Sequence, residues 1–261
     1  MEIKYLIILT LFILLCLSLT KTNYKEYGKM NDFIKKYSLM VYLENNEVTD
    51  KRMKVVTKNW REYGVFPNLF PGLNAKNPKH VEIIKTLPIK RNNHHFDKRI
   101  GAYGLAGSFY KMLVKAYNSG QPYLLYLEDD ALPILAPKQM EEEFFKALNS
   151  IPEEDGCYLL GATVLCKYKQ KLTKRWERVK SIKTDNWGTT CLLFTRKSLK
   201  RILDYIHKHK INEPIDHTIK IVYGKSLYYW NDNISESGMF IGLFEQYETY
   251  CDKRVSVIDS I

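Results

Sequence analysis

The chain has 261 residues, of which 45% are hydrophobic and 13% aromatic. That composition excludes a disordered chain and gives room for one sizeable α/β domain or two small ones, one being the expectation. The formal charge of +11 predicts attraction to something anionic, whether nucleic acid, a membrane surface or a phosphorylated small molecule. The basic residues are spread out, mostly Lys and densest from Lys167 to Lys183, so a solvated lysine-rich face is the simpler reading and no nucleic-acid partner is expected.

Tyr5 to Thr20 is uncharged and dominated by Leu and Ile, between Lys4 and Lys21. As a helix it falls short of the ~20 residues that span a bilayer and lies near the upper end of the ~7–15 residue core of a cleavable signal. Residues 1–22 are therefore read as a signal peptide or signal anchor. The rest of the chain is then expected in the secretory pathway, in the ER or Golgi lumen and membrane-anchored, or secreted. Ser18 and Thr20 offer a cleavage site, whereas a thin early-secretory membrane accepts a short anchor. Lys21, Lys25 and Lys29 stand against a lumenal orientation.

Beyond that segment lie Cys157, Cys166, Cys191 and Cys251. They lack Cys-x-x-Cys spacing, so no zinc site is expected, and the sequence leaves disulfides and buried thiols equally open. Asn233-Ile234-Ser235 is a glycosylation sequon.

Ser38 to Leu43 reads as a buried strand, and Asp50 to Tyr63 as a helix capped by Asp50 and ended by Gly64. Phe66 to Pro78, rich in Pro, Gly and Asn, reads as a loop containing Gly72-Leu73-Asn74-Ala75, and Lys76 to His95 carries no assignable pattern. From Ile100 a helical spacing runs through Tyr103, Gly104, Gly107, Tyr110, Leu113, Val114 and Tyr117, and Gly120 closes it. Gly101, Gly104 and Gly107 are unfavourable inside a helix and predict close approach to a strand or ligand, or simple packing.

Tyr123 to Leu127 is a short apolar run that ends in three acids, followed by Ala131-Leu132-Pro133. It predicts a buried strand with carboxylates at its C-terminal end. Further elements are a helix at Lys138 to Leu148, strands at Cys157 to Leu165 and Thr189 to Phe194, an amphipathic helix at Lys197 to His209, a helix at Ile215 to Val222 and a strand at Leu227 to Trp230. Strands alternating with helices over residues 38–261 predict one α/β domain with a mainly parallel sheet and helices on both faces.

Three consecutive carboxylates, Glu128, Asp129 and Asp130, repel one another unless a cation sits between them. Mg²⁺ and Mn²⁺ suit oxygen ligands and hold phosphates through open positions. In an open α/β sheet, ligands bind outside the carboxyl ends of strands, where these acids are expected. The alternative is a solvated acidic turn that caps the next segment.

Leu127 to Pro133 resembles the metal motif of glycosyltransferase family 25, which includes lipopolysaccharide glycosyltransferases and collagen galactosyltransferases. Val41-Tyr42-Leu43 with Asp50-Lys51-Arg52 resembles that family's opening strand and Asp-x-x-Arg element. Gly72 to Ala75 resembles its post-helix loop, and Gly101-Ala102-Tyr103-Gly104 to Ser108 its glycine-led helix. Trp187-Gly188-Thr189-Thr190 through Thr195-Arg196-Lys197-Ser198 resembles a later strand and helix, and Glu213-Pro214-Ile215-Asp216 its Pro-x-Asp. The resemblance spans Leu39 to Tyr229. It departs where the family has Ser-His and this chain has Ser108-Phe109.

The resemblance implies a GT-A-like (Rossmann-like) fold and transfer of a sugar, with inversion, from a nucleoside diphosphate, a UDP-sugar, to a hydroxyl on a glycan or glycoprotein. It implies a divalent metal, Mn²⁺ or Mg²⁺, on Asp130 with Glu128 or Asp129, donor-binding roles for Arg52, Asn74 and Gly101, and Asp216 as general base. Each has a plainer reading: Arg52 in a helix-surface salt bridge, Asp216 as a helix cap, His217 as a surface histidine, Trp187 in the core. His94 and His95 receive no role. Two rival functions are a metal-dependent phosphodiesterase or nuclease and a catalytically silent carbohydrate-binding relative.

Overall fold

The computed structural model describes residues 30–44, 46–90, 96, 99–163, 175–179, 190–231, 240–246, 249–250 and 253–254. The apolar N-terminal segment, Lys167 to Lys174, His94, His95, Cys166, Trp187 to Thr189, the sequon and Cys251 lie outside these residues.

Eight residues with apolar side chains at Met30, Phe33, Ile34 and Tyr37 form α1 (Met30–Tyr37), whose one face is buried. Strand β1 (Ser38–Tyr42) follows directly. Helix α2 (Glu47–Glu62) begins earlier than the sequence reading: Asn46, not Asp50, is the N-cap, its side chain accepting from the Val48 and Thr49 amides. Asp50 instead lies in the first turn, where its charge favours the helix dipole. Gly64 ends the helix as expected, at φ +68°, with its amide on Arg61 O at 2.9 Å. Inside the expected loop, β2 (Leu69–Pro71) pairs with β1. Part of the unassigned stretch is α3 (Pro78–Lys85), capped by Asn77 with proline at its start.

Helix α4 (Ile100–Asn118) leads through Gly120, at φ +75°, to β3 (Tyr123–Leu127), β4 (Ala131–Pro133) and α5 (Pro137–Asn149). Then come β5 (Cys157–Thr163), β6 (Arg175–Arg178), β7 (Cys191–Thr195), α6 (Arg196–His209), α7 (Ile215–Tyr223), β8 (Leu227–Asn231), β9 (Phe240–Gly242) and β10 (Phe244–Gln246).

The main sheet has the order β2-β1-β3-β7-β5-β8-β6. β1 is parallel to β2 and β3, β7 runs against both β3 and β5, and β8 is parallel to β5. Thus β2, β1, β3, β5 and β8 share one direction, while β7 and the edge strand β6 oppose it. The sheet is mainly parallel, as the alternation of elements predicts, and the protein is an α/β fold.

Period-two alternation divides the core. Leu39, Val41, Leu124, Tyr126, Leu192 and Phe194 face a cluster built with α3, α4, α6 and α7. Met40, Leu125, Leu127, Cys191 and Leu193 face a second cluster with α1, α2 and α5. Cys157 and Cys191 are buried free thiols, so neither is in a disulfide.

Candidate active site at the acidic turn

Strand β3 is buried along its whole length and ends at Leu127. The Glu128 amide donates to Thr190 O at 3.1 Å, and the Ala131 amide donates back to Glu128 O at 3.1 Å, closing a tight turn with Asp129 and Asp130 at its corners. Beyond it, β4 pairs antiparallel with β10. The carboxylates therefore leave the sheet at the shared C-terminal edge of its parallel strands.

Helix α2 holds this turn. Its buried stripe is Thr49, Arg52, Val56 and Trp60, at helical spacing. A guanidinium in such a stripe is tolerated only when paired. Arg52 Nη1 donates to Asp130 Oδ2 at 3.3 Å and lies 3.6 Å from Asp129 Oδ1; the three side chains are 5%, 9% and 16% exposed, in the order Arg52, Asp130, Asp129. Further along the helix, Trp60 Nε1 donates to Ala131 O at 3.0 Å and the Tyr63 hydroxyl donates to Leu135 O.

Burial pushes the Asp130 carboxyl well up, the neighbouring Asp129 and Glu128 charges push it further, and Arg52 pulls it back. Burial raises Asp129 too, against the opposing pull of Arg52. The Tyr126 phenol at the end of β3 is raised by burial and then by all three acids. Asp130 Oδ1 is buried and accepts no hydrogen bond among the described residues. No three His, Cys, Asp or Glu side chains among the described residues converge as a metal-binding group.

The loop carrying Asn74 leaves the same edge. Met40 of β1 lies opposite Leu127 of β3, and the Gly72 amide donates to Tyr42 O at 2.6 Å. Asn74 is occupied with shaping this loop: its side chain accepts from the Lys76 amide, and its own amide donates to His80 Nδ1, both at 2.9 Å. Its engagement with His80 has no signal in the sequence. The glycines of α4 meet this loop, since a Cβ on Gly104 would lie 2.2 Å from Leu73 O. Ser108 Oγ accepts from the Leu73 amide at 2.7 Å and donates to Gly104 O at 2.8 Å. The close approach of Gly104 is to the backbone of the Leu73–Ala75 loop, and Gly107 meets the Leu73 and Ile84 side chains, so packing is the cause at both. Gly101 lies in the first turn of α4 and is half-buried.

Phe109, where the family resemblance departs, is fully buried and packs edge-on against Tyr126 at 5.3 Å and against Phe194 at 6.1 Å. It belongs to the core under β3 and β7. Asp216 is in the first turn of α7, but Pro214 is the N-cap and no side chain caps that helix, so Asp216 is not the cap. His217 lies between Glu213 Oε2 at 3.6 Å and Asp216 Oδ2 at 3.9 Å. The structure thus gathers Arg52, Asp129 and Asp130 into one ionic cluster and sets Asp216 on another helix.

No protein-family model and no curated protein match the sequence. In three dimensions the chain is similar to a glycosyltransferase involved in the glycosylation of the major capsid of PBCV-1, at 12% identity, covering 86% of this chain and 100% of that one, with a TM-score of 0.43. It is similar to mannose-1-phosphate geranyltransferase from Thermus thermophilus, at 11% identity over 75% of this chain and 74% of that one, TM-score 0.35. It is also similar to mouse xyloside xylosyltransferase 1 in its apo form, at 9% identity over 74% of this chain and 84% of that one, TM-score 0.34.

Proposed function

We propose that the protein is a GT-A-type glycosyltransferase that moves a sugar from a nucleoside diphosphate, a UDP-sugar, to a hydroxyl of a glycan or glycoprotein. The observation that carries this reading is the acidic turn at the carboxyl end of the buried strand β3, on the sheet edge where α/β folds bind ligands.

A divalent cation fits the donor set. Mg²⁺ and Mn²⁺ take carboxylate oxygens, and such ions are usually held by one or two carboxylates with substrate phosphates completing the shell. A preformed three-ligand cage is therefore not required, and Asp130 Oδ1 is a buried carboxylate oxygen with no other partner among the described residues. Asp130 would hold the ion with Glu128 or Asp129. When bound, it neutralises charge on the departing diphosphate.

In the proposed inverting step, Asp216 takes the proton from the acceptor hydroxyl. The acceptor oxygen forms a bond to the anomeric carbon as the bond to the diphosphate oxygen breaks, and the nucleoside diphosphate leaves. Arg52 pairs with diphosphate oxygens once drawn from the acids, since a guanidinium suits both partners. The loop bearing Asn74 and the start of α4 at Gly101 border the donor. The apolar segment at residues 5–20 supports a place in the secretory pathway, cleaved or anchored; no helix among the described residues is long and apolar enough to cross a membrane.

The test is release of free nucleoside diphosphate from a panel of UDP-, GDP- and CMP-sugars, where CMP-sugars report the monophosphate, with and without Mn²⁺ and with glycan acceptors. Mn²⁺-dependent release from UDP-sugars is expected. Turnover of none of these donors, with cleavage of nucleic acid instead, would contradict it.

A further inference from the structure

From the Arg52 cluster we infer that this residue is a built-in counter-cation of the acidic turn. It competes with a divalent cation for Asp129 and Asp130 and keeps the turn from taking up that cation tightly on its own. This inference rests on the metal reading of the turn proposed above.

Arg52 is the charged member of an otherwise uncharged buried stripe, and its Nη1 lies 3.3 Å from Asp130 Oδ2 and 3.6 Å from Asp129 Oδ1. The helix carrying it is fastened to the acid-bearing segment: Trp60, two turns further along α2, and Tyr63, its C-cap, donate to Ala131 O and Leu135 O.

The charge balance sets the direction of the effect. Glu128, Asp129 and Asp130 bring three carboxyl groups within one turn, and Arg52 sets one positive charge against two of them. A divalent ion approaching these carboxylates meets the guanidinium's charge as well as a carboxylate oxygen already bonded to it. A diphosphate relieves both effects, because it offers the guanidinium an alternative pair of oxygens and adds ligands for the ion. Cation uptake is thereby tied to donor uptake, which suppresses early occupation of the turn by whatever divalent ion is abundant.

The experiment titrates Mn²⁺ alone into the purified full chain. Free Mn²⁺ is read by electron paramagnetic resonance and Tm is recorded at each point. Arg52→Gln is expected to tighten Mn²⁺ binding by about tenfold or more, the scale of removing a nearby unit charge at a partly buried site. Its Tm should also rise more with Mn²⁺ than that of the wild type. Arg52→Lys keeps the charge and is expected to stay within about threefold of the wild type. Equal affinity in Arg52→Gln and the wild type would overturn the counter-cation role and leave the metal reading standing. Absence of Mn²⁺ binding in every variant would overturn both. If Arg52→Gln is unfolded without metal, recovery of the folded state on adding Mn²⁺ supports the inference and failure to recover overturns it.

Discussion

Helices α2 and α4 lie on opposite faces of the same sheet, and each has residues in its buried stripe that an apolar core alone would not select. In α4 these are Gly104, Gly107 and Ser108, and packing accounts for all of them. The glycines admit Leu73 and Ile84, and the serine clamps the Leu73 amide to the Gly104 carbonyl. In α2 the charged exception is Arg52, and packing does not account for it, because a buried guanidinium destabilises unless anions meet it. The acids of the β3–β4 turn meet it. One face is thus shaped by contact and the other by charge, which separates a scaffold from a site without reference to any relative.

The sharpest way to break this contrast is Asp130→Asn. It removes one carboxylate charge and leaves Arg52 with Asp129, so the variant is expected to fold while sugar transfer falls at least about a hundredfold. Unchanged activity in steady-state assays would remove the acidic turn from the chemistry. On the other face, Phe109→His puts a histidine, the residue of glycosyltransferase family 25 at the resembling position, into a fully buried site between Tyr126 and Phe194. It is expected to lower stability by about 3 kcal/mol, by lost packing and an unpaired imidazole, with no gain in turnover. A urea titration beside the activity assay checks both parts.

Gly104→Ala is the next largest effect. The added Cβ meets the Leu73 carbonyl, a backbone atom that cannot rotate away, so a loss of about 1–3 kcal/mol is expected in thermal unfolding. A neutral result would mean that the Leu73–Ala75 loop yields freely, and the scaffold reading of that face would weaken. The smallest effect sharpens the charged face. Burial pushes the Tyr63 phenol up to about 12 from its ordinary value of 10.0. A group raised in the fold stabilises fully below its unfolded pKa and loses that contribution as pH rises through the folded one. Tyr63→Phe should therefore be less stable by about 1 kcal/mol near neutrality, for one lost hydrogen bond, and the gap should close between pH 10 and about 12. A gap unchanged across that range would contradict the buried hydroxyl.

The strands β1, β3, β5, β7 and β8 were legible because each is built on a run of at least four apolar residues, and the long helix α4 because its spacing spans five turns. The elements that escaped are short or begin among polar residues. Helix α2 starts at Glu47 because Asn46 satisfies two amides, which Asp50 does not need to do. Helix α1 carried a signal in Met30, Phe33, Ile34 and Tyr37, and α3 carried one in Asn77-Pro78, yet each is eight residues long. β2 and β10 depend on neighbours for their existence and carry little pattern of their own. At the site, the three acids stand out in the sequence, whereas the partner of Arg52 lies 78 residues away and only the packing of α2 against the turn brings them together. The same holds for His80, whose ring meets the Asn74 amide through a turn that no composition predicts.

The central claim is that the acidic turn binds a nucleoside-diphosphate sugar with a divalent cation, and the most direct measurement is a thermal-shift titration of the purified chain against UDP-, GDP- and CMP-sugars, each with and without Mn²⁺. A ligand that binds only the folded state stabilises it, by about 2.7 kcal/mol at a hundred times its Kd. Stabilisation by UDP-sugars that appears only when Mn²⁺ is present is the predicted result; no shift with any nucleotide sugar, in either condition, would contradict the account.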